Sequence, residues 1–179
     1  MQLDSTIKIN TERLILKPIS EEFISEVNQY FTTEITVYMP YDPDGNKQDT
    51  INFIQSSIDN LKNQTEIVFV ILNNSNKEFI GCCGIHNINS ESVKIGLWIK
   101  KDSQSKGFGK ETVTNLLHFI EANFNIDYII YPVDEENIRS RKIPEGLGFE
   151  EFNRYLKPKN DVKNLNIIEY RKYYNTKAT

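Results

Sequence analysis

The chain has 179 residues, of which 39% are hydrophobic and 26% are charged, the proportions of an ordinary soluble domain. This length favours one domain, residues 1–179, and the net charge of −4 argues against a general nucleic-acid-binding protein. No apolar run approaches the roughly 20 residues that span a bilayer, and the opening residues have no signal-peptide pattern. We therefore expect a cytoplasmic protein without a membrane or nucleic-acid partner.

The first half of the chain alternates between helix and strand periodicity. Ser20 can cap the first helix, and turn-forming residues at 41–46, 73–76 and 89–91 separate later elements. The predicted elements are a strand at 6–17, helices at 20–31 and 49–61, and strands at 66–72, 78–88 and 92–99.

The second half begins with a clear amphipathic helix after residue 107. Its apolar residues recur at the spacing of one helix face: Val113, Leu116, Leu117, Ile120 and Phe124. The remaining predicted elements are a strand at 128–133, a short helix from residue 137, and strands at 149–155 and 165–173. We find no internal repeat and no linker between domains.

The segment QSKGFGK, residues 104–110, joins the strand at 92–99 to this amphipathic helix. A chain that turns through Gly107 and Gly109 into a helix leaves backbone N–H groups without intrahelical partners, at the positive end of the helix dipole. Such a place binds phosphate groups. The lysines around it are Lys100, Lys101, Lys106 and Lys110, against one acid, Asp102.

The glycine spacing excludes two other nucleotide-binding motifs. The P-loop pattern G-x-x-x-x-G-K-[ST] does not occur, and Thr112 stands where a dinucleotide fingerprint needs its third glycine. A glycine-rich turn before a helix can also be only a turn. The function therefore has to be argued from further motifs.

Two adjacent cysteines, Cys82 and Cys83, lie in an apolar run that reads as a strand. Because successive side chains of a strand point to opposite faces, we expect one of them to face inward and the other outward. Neither a disulfide framework nor a metal site is expected from two such thiols. We expect His118, on the amphipathic helix, to be a partly exposed residue without a function.

Four segments in the same order resemble the GNAT superfamily of N-acetyltransferases. Gln104-x-x-Gly107-x-Gly109 is similar to its acetyl-CoA loop, and residues 137–149 resemble its N-x-x-S…L-G-F segment. The opening TERLILKP at 11–18 and the YMPY at 38–41 are similar to the branch of ribosomal-protein N-terminal acetyltransferases (RimJ/RimL-like). The resemblance implies an α/β (α+β) domain. Its sheet should be mixed, mostly antiparallel, twisted and of about seven strands, splayed where acetyl-CoA inserts, with helices on both faces.

The resemblance also implies roles for individual residues. The backbone before the loop would hold pantetheine and polarise the thioester carbonyl, and main-chain amides of the loop would hold the pyrophosphate. Asn137 would contact pantetheine or cap its helix, and Ser140 is either the general acid near the coenzyme sulfur or a solvated residue. The residues assigned to the coenzyme are Leu97, Trp98, Ile99, Gln104, Ser105, Lys106, Gly107, Phe108, Gly109, Lys110, Asn137 and Ser140.

The acceptor side is less defined. His86 ends a strand on the side where acceptor amines bind in this family, and the sequence does not select a general base among Glu66, Glu78, Asp134 and water. Residues 38–46 are expected to decide the acceptor, and a cationic amine suits the acids of the predicted loops. These acids are Asp42, Asp44, Asp134, Glu135 and Glu136.

The expected activity is transfer of an acetyl group from acetyl-CoA to a primary amine, without a metal, by a monomer or homodimer. The first choice of acceptor is the α-amine of a protein N-terminus, such as that of a ribosomal protein. The alternatives are a small polyamine or aminoglycoside, a non-enzymatic acyl-CoA-binding module, and a phosphate-binding domain unrelated to acetylation.

Overall fold

The structure is a computed structural model that describes residues 2–43, 45–88 and 90–174. The described residues form one sheet of eight strands with α-helices on both faces. The strands are β1 Ile9–Asn10, β2 Leu14–Pro18, β3 Glu66–Asn73, β4 Phe79–His86, β5 Ser92–Ile99, β6 Tyr128–Asp134, β7 Glu150–Pro158 and β8 Asn164–Tyr173. The α-helices are α1 Ile24–Tyr30, α2 Lys47–Lys62, α3 Phe108–Asn123 and α4 Ile138–Glu145.

The strand order is β1-β2-β3-β4-β5-β6-β8-β7. Every neighbouring pair is antiparallel except β5 and β6, which run parallel because α3 carries the chain back between them. This confirms the prediction of a mixed, mostly antiparallel sheet. The number of strands is eight rather than about seven.

The additional strand comes from the N-terminal segment, where the prediction of one strand at 6–17 is wrong. The chain folds back on itself there, so that Asn10 of β1 pairs with Ile15 of β2. The turn is closed by Thr11, whose backbone N–H donates to Leu14 O and whose hydroxyl accepts from Leu14 N, both at 2.9 Å. The polar residues 10–13 that form this turn include no glycine or proline, and for that reason the sequence does not reveal it.

The other elements follow the predicted ones within a few residues. The helix expected from Ser20 begins as a 3₁₀ turn, Glu21–Phe23, and Ser20 Oγ donates to the Glu22 carboxylate instead of capping the helix. Asn46 caps α2 through a hydrogen bond from Gln48 N. Within the predicted turns at 41–46 and 89–91, residues 44 and 89 lie outside the described residues.

Two apolar clusters cover the two faces of the sheet. On the α3 face, α3 packs on residues such as Phe69, Ile85 and Ile95. On the α1–α2 face, α1 and α2 pack on Val68, Val70 and their neighbours. Helices on both faces were predicted, and this is confirmed. In the described part of the chain, no helix combines the length and apolar character needed to cross a membrane.

Cys82 and Cys83 lie in these two different clusters, as strand alternation predicts. The prediction that one of them faces outward is wrong, because both faces of β4 are covered and both thiols are buried. Burial raises the pKa of each thiol well above its ordinary value, which keeps both in the unreactive protonated form.

The loop between α1 and α2 is held against the hairpin that joins β7 to β8. The Lys159 side chain, only 6% exposed, forms an ion pair with Asp42 at 2.6 Å. Its Nζ also donates to the carbonyl oxygens of Thr36, Met39 and Tyr41 at 2.7 to 2.9 Å. We call these contacts the Lys159 clamp.

We expect Lys159→Met to lower the free energy of unfolding by about 2 kcal/mol, because a buried ammonium that donates to several acceptors would be lost. Lys157→Met is the matched control, since Lys157 is an exposed lysine on β7. Urea unfolding measures both variants, and limited proteolysis reports whether residues 31–43 become more accessible. Equal unfolding curves for the two variants would show that the clamp contributes nothing.

Candidate functional site

The sheet opens between β5 and β6. These strands share only three residue pairs, the last being Lys94 with Ile130. Beyond that point β5 stays paired with β4 as far as Ile99, and β6 stays paired with β8 as far as Asp134. The diverging strands leave an opening through the sheet, which we call the β5–β6 cleft.

Alternate peptide groups of β5 point into this cleft. In an antiparallel pair, successive residues direct their peptide groups to opposite sides of the strand. Ile99 O accepts a hydrogen bond from Gln104 Nε2 at 3.0 Å and therefore faces away from β4. By alternation the peptide groups of Leu97 face the cleft as well, and those of Trp98 face β4. The Trp98 side chain packs among aromatic rings on the α1–α2 face.

Beyond β5, the chain forms a concave loop that leads into α3. A 3₁₀ turn at Lys101–Ser103 comes first, and then Ser105 (φ 62°) and Gly107 (φ 82°) adopt left-handed conformations. The first intrahelical bond of α3 runs from Glu111 N to Gly107 O at 3.1 Å. Three amides therefore precede the helical ladder and are available to an anion. They belong to Phe108, Gly109 and Lys110.

The side chain of Gln104 links this loop to α4. Its Nε2 donates to Ile99 O, and its Oε1 accepts from Arg139 Nη1 at 2.7 Å. The exposed guanidinium of Arg139 is thereby fixed beside the loop. The sequence motif contained Arg139 without indicating this position, because the two residues are 35 apart in the chain.

The N-terminal TER motif holds the first turn of α3. Arg13 donates through Nε to Glu111 Oε2 at 2.7 Å and through Nη1 to Lys106 O at 2.9 Å. Thr11 Oγ1 also donates to Glu111, at 2.5 Å. Partial burial acts to raise the pKa of Glu111, but these hydrogen bonds outweigh it and the pKa is lowered. The pairing with Arg13 offsets the negative charge of Glu111 next to the anion-binding amides.

Two of the four lysines expected around the loop have acidic partners elsewhere. Lys100 is buried, forms an ion pair with Glu78 at 2.5 Å and lies over the Tyr30 ring. Lys101 forms an ion pair with Glu34 of the α1–α2 loop. The prediction that Lys100 and Lys101 surround the anion site is therefore wrong. The side chains of Lys106 and Lys110 are exposed, and within the described residues no acid pairs with either.

Phe108 and Gly109 have packing roles in addition to their backbone amides. Phe108 is buried beneath the Arg13 guanidinium, which lies 4.7 Å from the ring centre. A Cβ at position 109 would come within 3.1 Å of Ile143 and 3.4 Å of Leu97. The absence of a side chain at Gly109 lets α3 approach both β5 and α4.

On the α3 face, α4 places Ser140 near the β5–β6 cleft. Asn137 caps this helix, because its Oδ1 accepts from Ser140 N at 3.1 Å. Ser140 Oγ lies 3.0 Å from the hydroxyl of Tyr131, a buried residue of β6 that sequence reasoning did not identify. Burial raises the pKa of Tyr131 to about 12, although the hydrogen bond with Ser140 acts to lower it. The phenol therefore stays protonated at neutral pH.

The proline in this segment does not disrupt the site. Pro144 lies in the last turn of α4, and Gly146 follows as the C-cap. Ser140 is therefore in the regular first part of the helix.

On the α1–α2 face, His86 meets Glu66. The ring Nδ1 forms a short hydrogen bond with Glu66 Oε2, and each side chain is about one quarter exposed. This hydrogen bond holds the pKa of Glu66 below its usual range, against the opposing effect of partial burial. The two residues are cross-strand partners of β3 and β4, a pairing that depends on strand register.

The other two carboxylates considered as bases have partners of their own. Glu78 pairs with Lys100, and the buried Asp134 accepts from the backbone amides of Glu136 and Asn166 at 3.0 and 3.1 Å. Among residues 2–43, 45–88 and 90–174, no three His, Cys, Asp or Glu side chains come together as a metal site would require.

Comparisons with known proteins agree with this arrangement. The acetyltransferase (GNAT) domain family matches residues 13–150. An uncharacterized N-acetyltransferase, p20 of Bacillus licheniformis, is 30% identical over 144 residues, which are 78% of this chain and 80% of that protein.

Solved structures show the same fold. An acetyltransferase from Salmonella typhimurium that modifies the N-terminal serine of ribosomal protein L7/L12 has a TM-score of 0.80 at 14% identity, with 94% of this chain and all of that chain covered. Spermidine N-acetyltransferase from Vibrio cholerae, in complex with CoA and spermine, has a TM-score of 0.79 at 18% identity, with 89% and 95% covered. The family match and the p20 relative show that this chain belongs to the GNAT acetyltransferases, enzymes that transfer an acetyl group from acetyl-CoA.

Proposed function

We propose that this enzyme binds acetyl-CoA along the β5–β6 cleft and acetylates the α-amine of a polypeptide N-terminus. The observation that carries the choice of acceptor is the state of the acidic residues around the α1–α2 face. Within the described residues, five of them have a lysine or arginine partner.

The coenzyme has a matching set of protein groups. The N–H and C=O of Leu97 and the N–H of Ile99 face the cleft and can hydrogen-bond the amides of pantetheine, whereas Ile99 O already accepts from Gln104. The amides at the start of α3 suit the pyrophosphate, and Arg139 with the exposed Lys106 adds positive charge. Acetyl-CoA supplies the activated acetyl thioester to this site.

Arg139 gives the loop a guanidinium that its own sequence lacks. Gln104 stands where many family members have an arginine, and its side chain is already bonded to Ile99 and Arg139. We assign Gln104 to positioning and Arg139 to the phosphate. Ser105 contributes its left-handed backbone conformation.

Five acids near the acceptor side form ion pairs with lysine or arginine. The pairs are Glu34 with Lys101, Asp42 with Lys159, Glu78 with Lys100, Glu135 with Arg154, and Glu169 with Arg171. Glu66 instead forms a hydrogen bond with His86. A polyamine or an aminoglycoside carries several positive charges and is best held by several unpaired carboxylates. A polypeptide N-terminus presents one amine on a chain of peptide groups, which suits a face whose charges are already balanced.

The α1–α2 loop borders the acceptor side and is fixed by the Lys159 clamp. Because the clamp fixes the loop through its carbonyls, the side chains of Tyr38 and Met39 remain free to contact an acceptor. The exposed Tyr41 side chain packs against Phe31. These aromatic and thioether groups suit the first side chains of a peptide better than a highly charged amine.

Ser140 is the proposed general acid. Tyr131 can donate its hydrogen to Ser140 Oγ, which leaves the serine hydrogen free to move to the departing sulfur. Asn137 holds the first turn of α4 so that this hydroxyl keeps its position.

We expect peptides with a free N-terminus to be acetylated more efficiently than polyamines or aminoglycosides. Release of free thiol from acetyl-CoA is measured with a panel of peptides and a panel of small amines. Mass spectrometry then locates the acetyl group on each product. The same peptides with blocked N-termini are the control. Products confined to small amines would overturn the choice of acceptor, and coenzyme binding without any turnover would support a binding module.

We expect Gly107→Ala to weaken acetyl-CoA binding by about tenfold, because the left-handed residue sets the direction of the first amides of α3 and a strain of about 1–2 kcal/mol favours another loop conformation. Gly45→Ala is the matched control, since Gly45 also has a positive φ but has nothing within 4 Å of an added Cβ. Each variant should lose about 1–2 kcal/mol of stability from the left-handed conformation. Calorimetry with acetyl-CoA separates them, and equal affinity in both variants would contradict the anion-binding role.

We expect Ser140→Ala to slow turnover by about 10²-fold, with little change in the Michaelis constant for acetyl-CoA, because the proton transfer matters mainly in the transition state. Ser140→Thr keeps the hydroxyl and should retain most of the activity. Steady-state kinetics with folding checked by circular dichroism provides the measurement. Turnover of the alanine variant within a few-fold of wild type would remove Ser140 from the mechanism.

A further inference from the structure

The imidazole of His86 reaches from β4 towards the β5–β6 cleft across two glycines. Gly84 and Gly96 are cross-strand partners, and neither has a side chain to fill the space above the sheet. A Cβ on Gly84 would come within 2.8 Å of His86 Nε2, and a Cβ on Gly96 within 3.2 Å of the same atom. The Nε2 atom therefore lies above this glycine pair.

The other ring nitrogen is fixed from behind. Glu66 of β3 holds Nδ1, so Glu66, His86, Gly96 and the cleft follow one another in the order of strands β3, β4 and β5. Within the described residues, Nε2 has no hydrogen-bond partner, and the His86 side chain is 26% exposed. A carboxylate on one nitrogen and a free second nitrogen is the arrangement by which proteins orient a histidine base.

The position of the ring along β5 matches the place where the strands separate. Gly96 lies two residues beyond Lys94, the last residue of β5 that pairs with β6. It precedes Leu97, whose peptide group faces the cleft. His86 thus lies on the α1–α2 face and Ser140 on the α3 face, so the two proton-transferring groups are on opposite faces of the sheet.

We infer that His86, oriented by Glu66, is the general base that removes a proton from the acceptor amine. This inference rests on acetyl transfer to an amine, and it holds for a peptide or a small-molecule acceptor alike.

An acceptor that arrives as an ammonium ion loses two protons during the reaction. One proton passes from the nitrogen to His86 Nε2 and then to water. The nitrogen lone pair forms the new C–N bond as the C–S bond breaks. As the amide forms, the nitrogen loses its second proton to His86 Nε2 or to water. The sulfur gains a proton from Ser140 Oγ, which regains one from water, or directly from water.

The charged groups that face His86 are Glu66 of β3 and Lys94 of β5, its cross-strand partner. Asn60 of α2 donates to the remaining oxygen of Glu66 at 3.4 Å. The alternative role for His86 is a purely structural ion pair with Glu66. That role makes no use of the free Nε2 or of the two glycines beneath it.

Kinetics of three variants distinguish these roles, using whichever amine the wild-type enzyme acetylates. His86→Gln should lower turnover by about 10²-fold at pH 7, with an unchanged Michaelis constant for acetyl-CoA. The deficit should shrink as the pH rises, because water then deprotonates the amine. Glu66→Gln should show a smaller deficit, and His118→Gln, which changes an exposed residue of α3, should match wild type.

Nitrogen NMR of the wild-type protein gives a second readout that does not depend on turnover. The chain has two histidines, so the spectrum of His118→Gln assigns His86 directly. We expect the tautomer with hydrogen on Nδ1, because Glu66 accepts from that nitrogen, and a change of tautomer in Glu66→Gln. A ring with hydrogen on Nε2, or one that stays protonated throughout, would overturn the inference, as would turnover of His86→Gln within a few-fold of wild type. Wild-type activity on small amines alone would instead count against the peptide acceptor and leave the role of His86 intact.

Discussion

The short parallel contact between β5 and β6 is the constraint on which the rest of the site depends. Three residue pairs hold the strands together at one end, while long antiparallel ladders to β4 and β8 hold each strand on its outer side. The strands therefore cannot close the gap without breaking those ladders. Peptide groups such as that of Leu97 stay unpaired at the cleft, and a ligand with amide groups of its own can satisfy them.

Contacts between distant parts of the chain then complete the two sides of the cleft. On the coenzyme side, Arg13 reaches Glu111 and the loop carbonyl of Lys106, and Gln104 brings Arg139 to the same place. On the acceptor side, five acids form ion pairs with lysine or arginine. The result is a coenzyme site with surplus positive charge and an acceptor side with balanced charge, in a chain that is acidic overall.

The sequence predicted the elements well where local periodicity decides them, as in β5 and α3. It failed at 6–17, because the polar residues 10–13 form the turn without a glycine or proline to mark it. The loop amides were predictable from Gly107 and Gly109, since a helix start leaves them unpaired in any context. The partners of the lysines, and the meeting of Glu66 with His86, were not predictable, because they depend on strand register and on residues far apart in the sequence. The glycines in β4 and β5 were the available signal for His86, as glycine inside a strand often marks a close approach.

The Lys159 clamp holds the α1–α2 loop mainly through backbone atoms, so it depends little on which side chains the loop carries. Three of its four acceptors are main-chain carbonyls, which every amino acid possesses. Substitutions at Met39 or Tyr41 would therefore alter the surface offered to an acceptor while leaving the anchor in place. A lineage could explore new acceptors one side chain at a time, with the loop backbone and the distant coenzyme site unaltered.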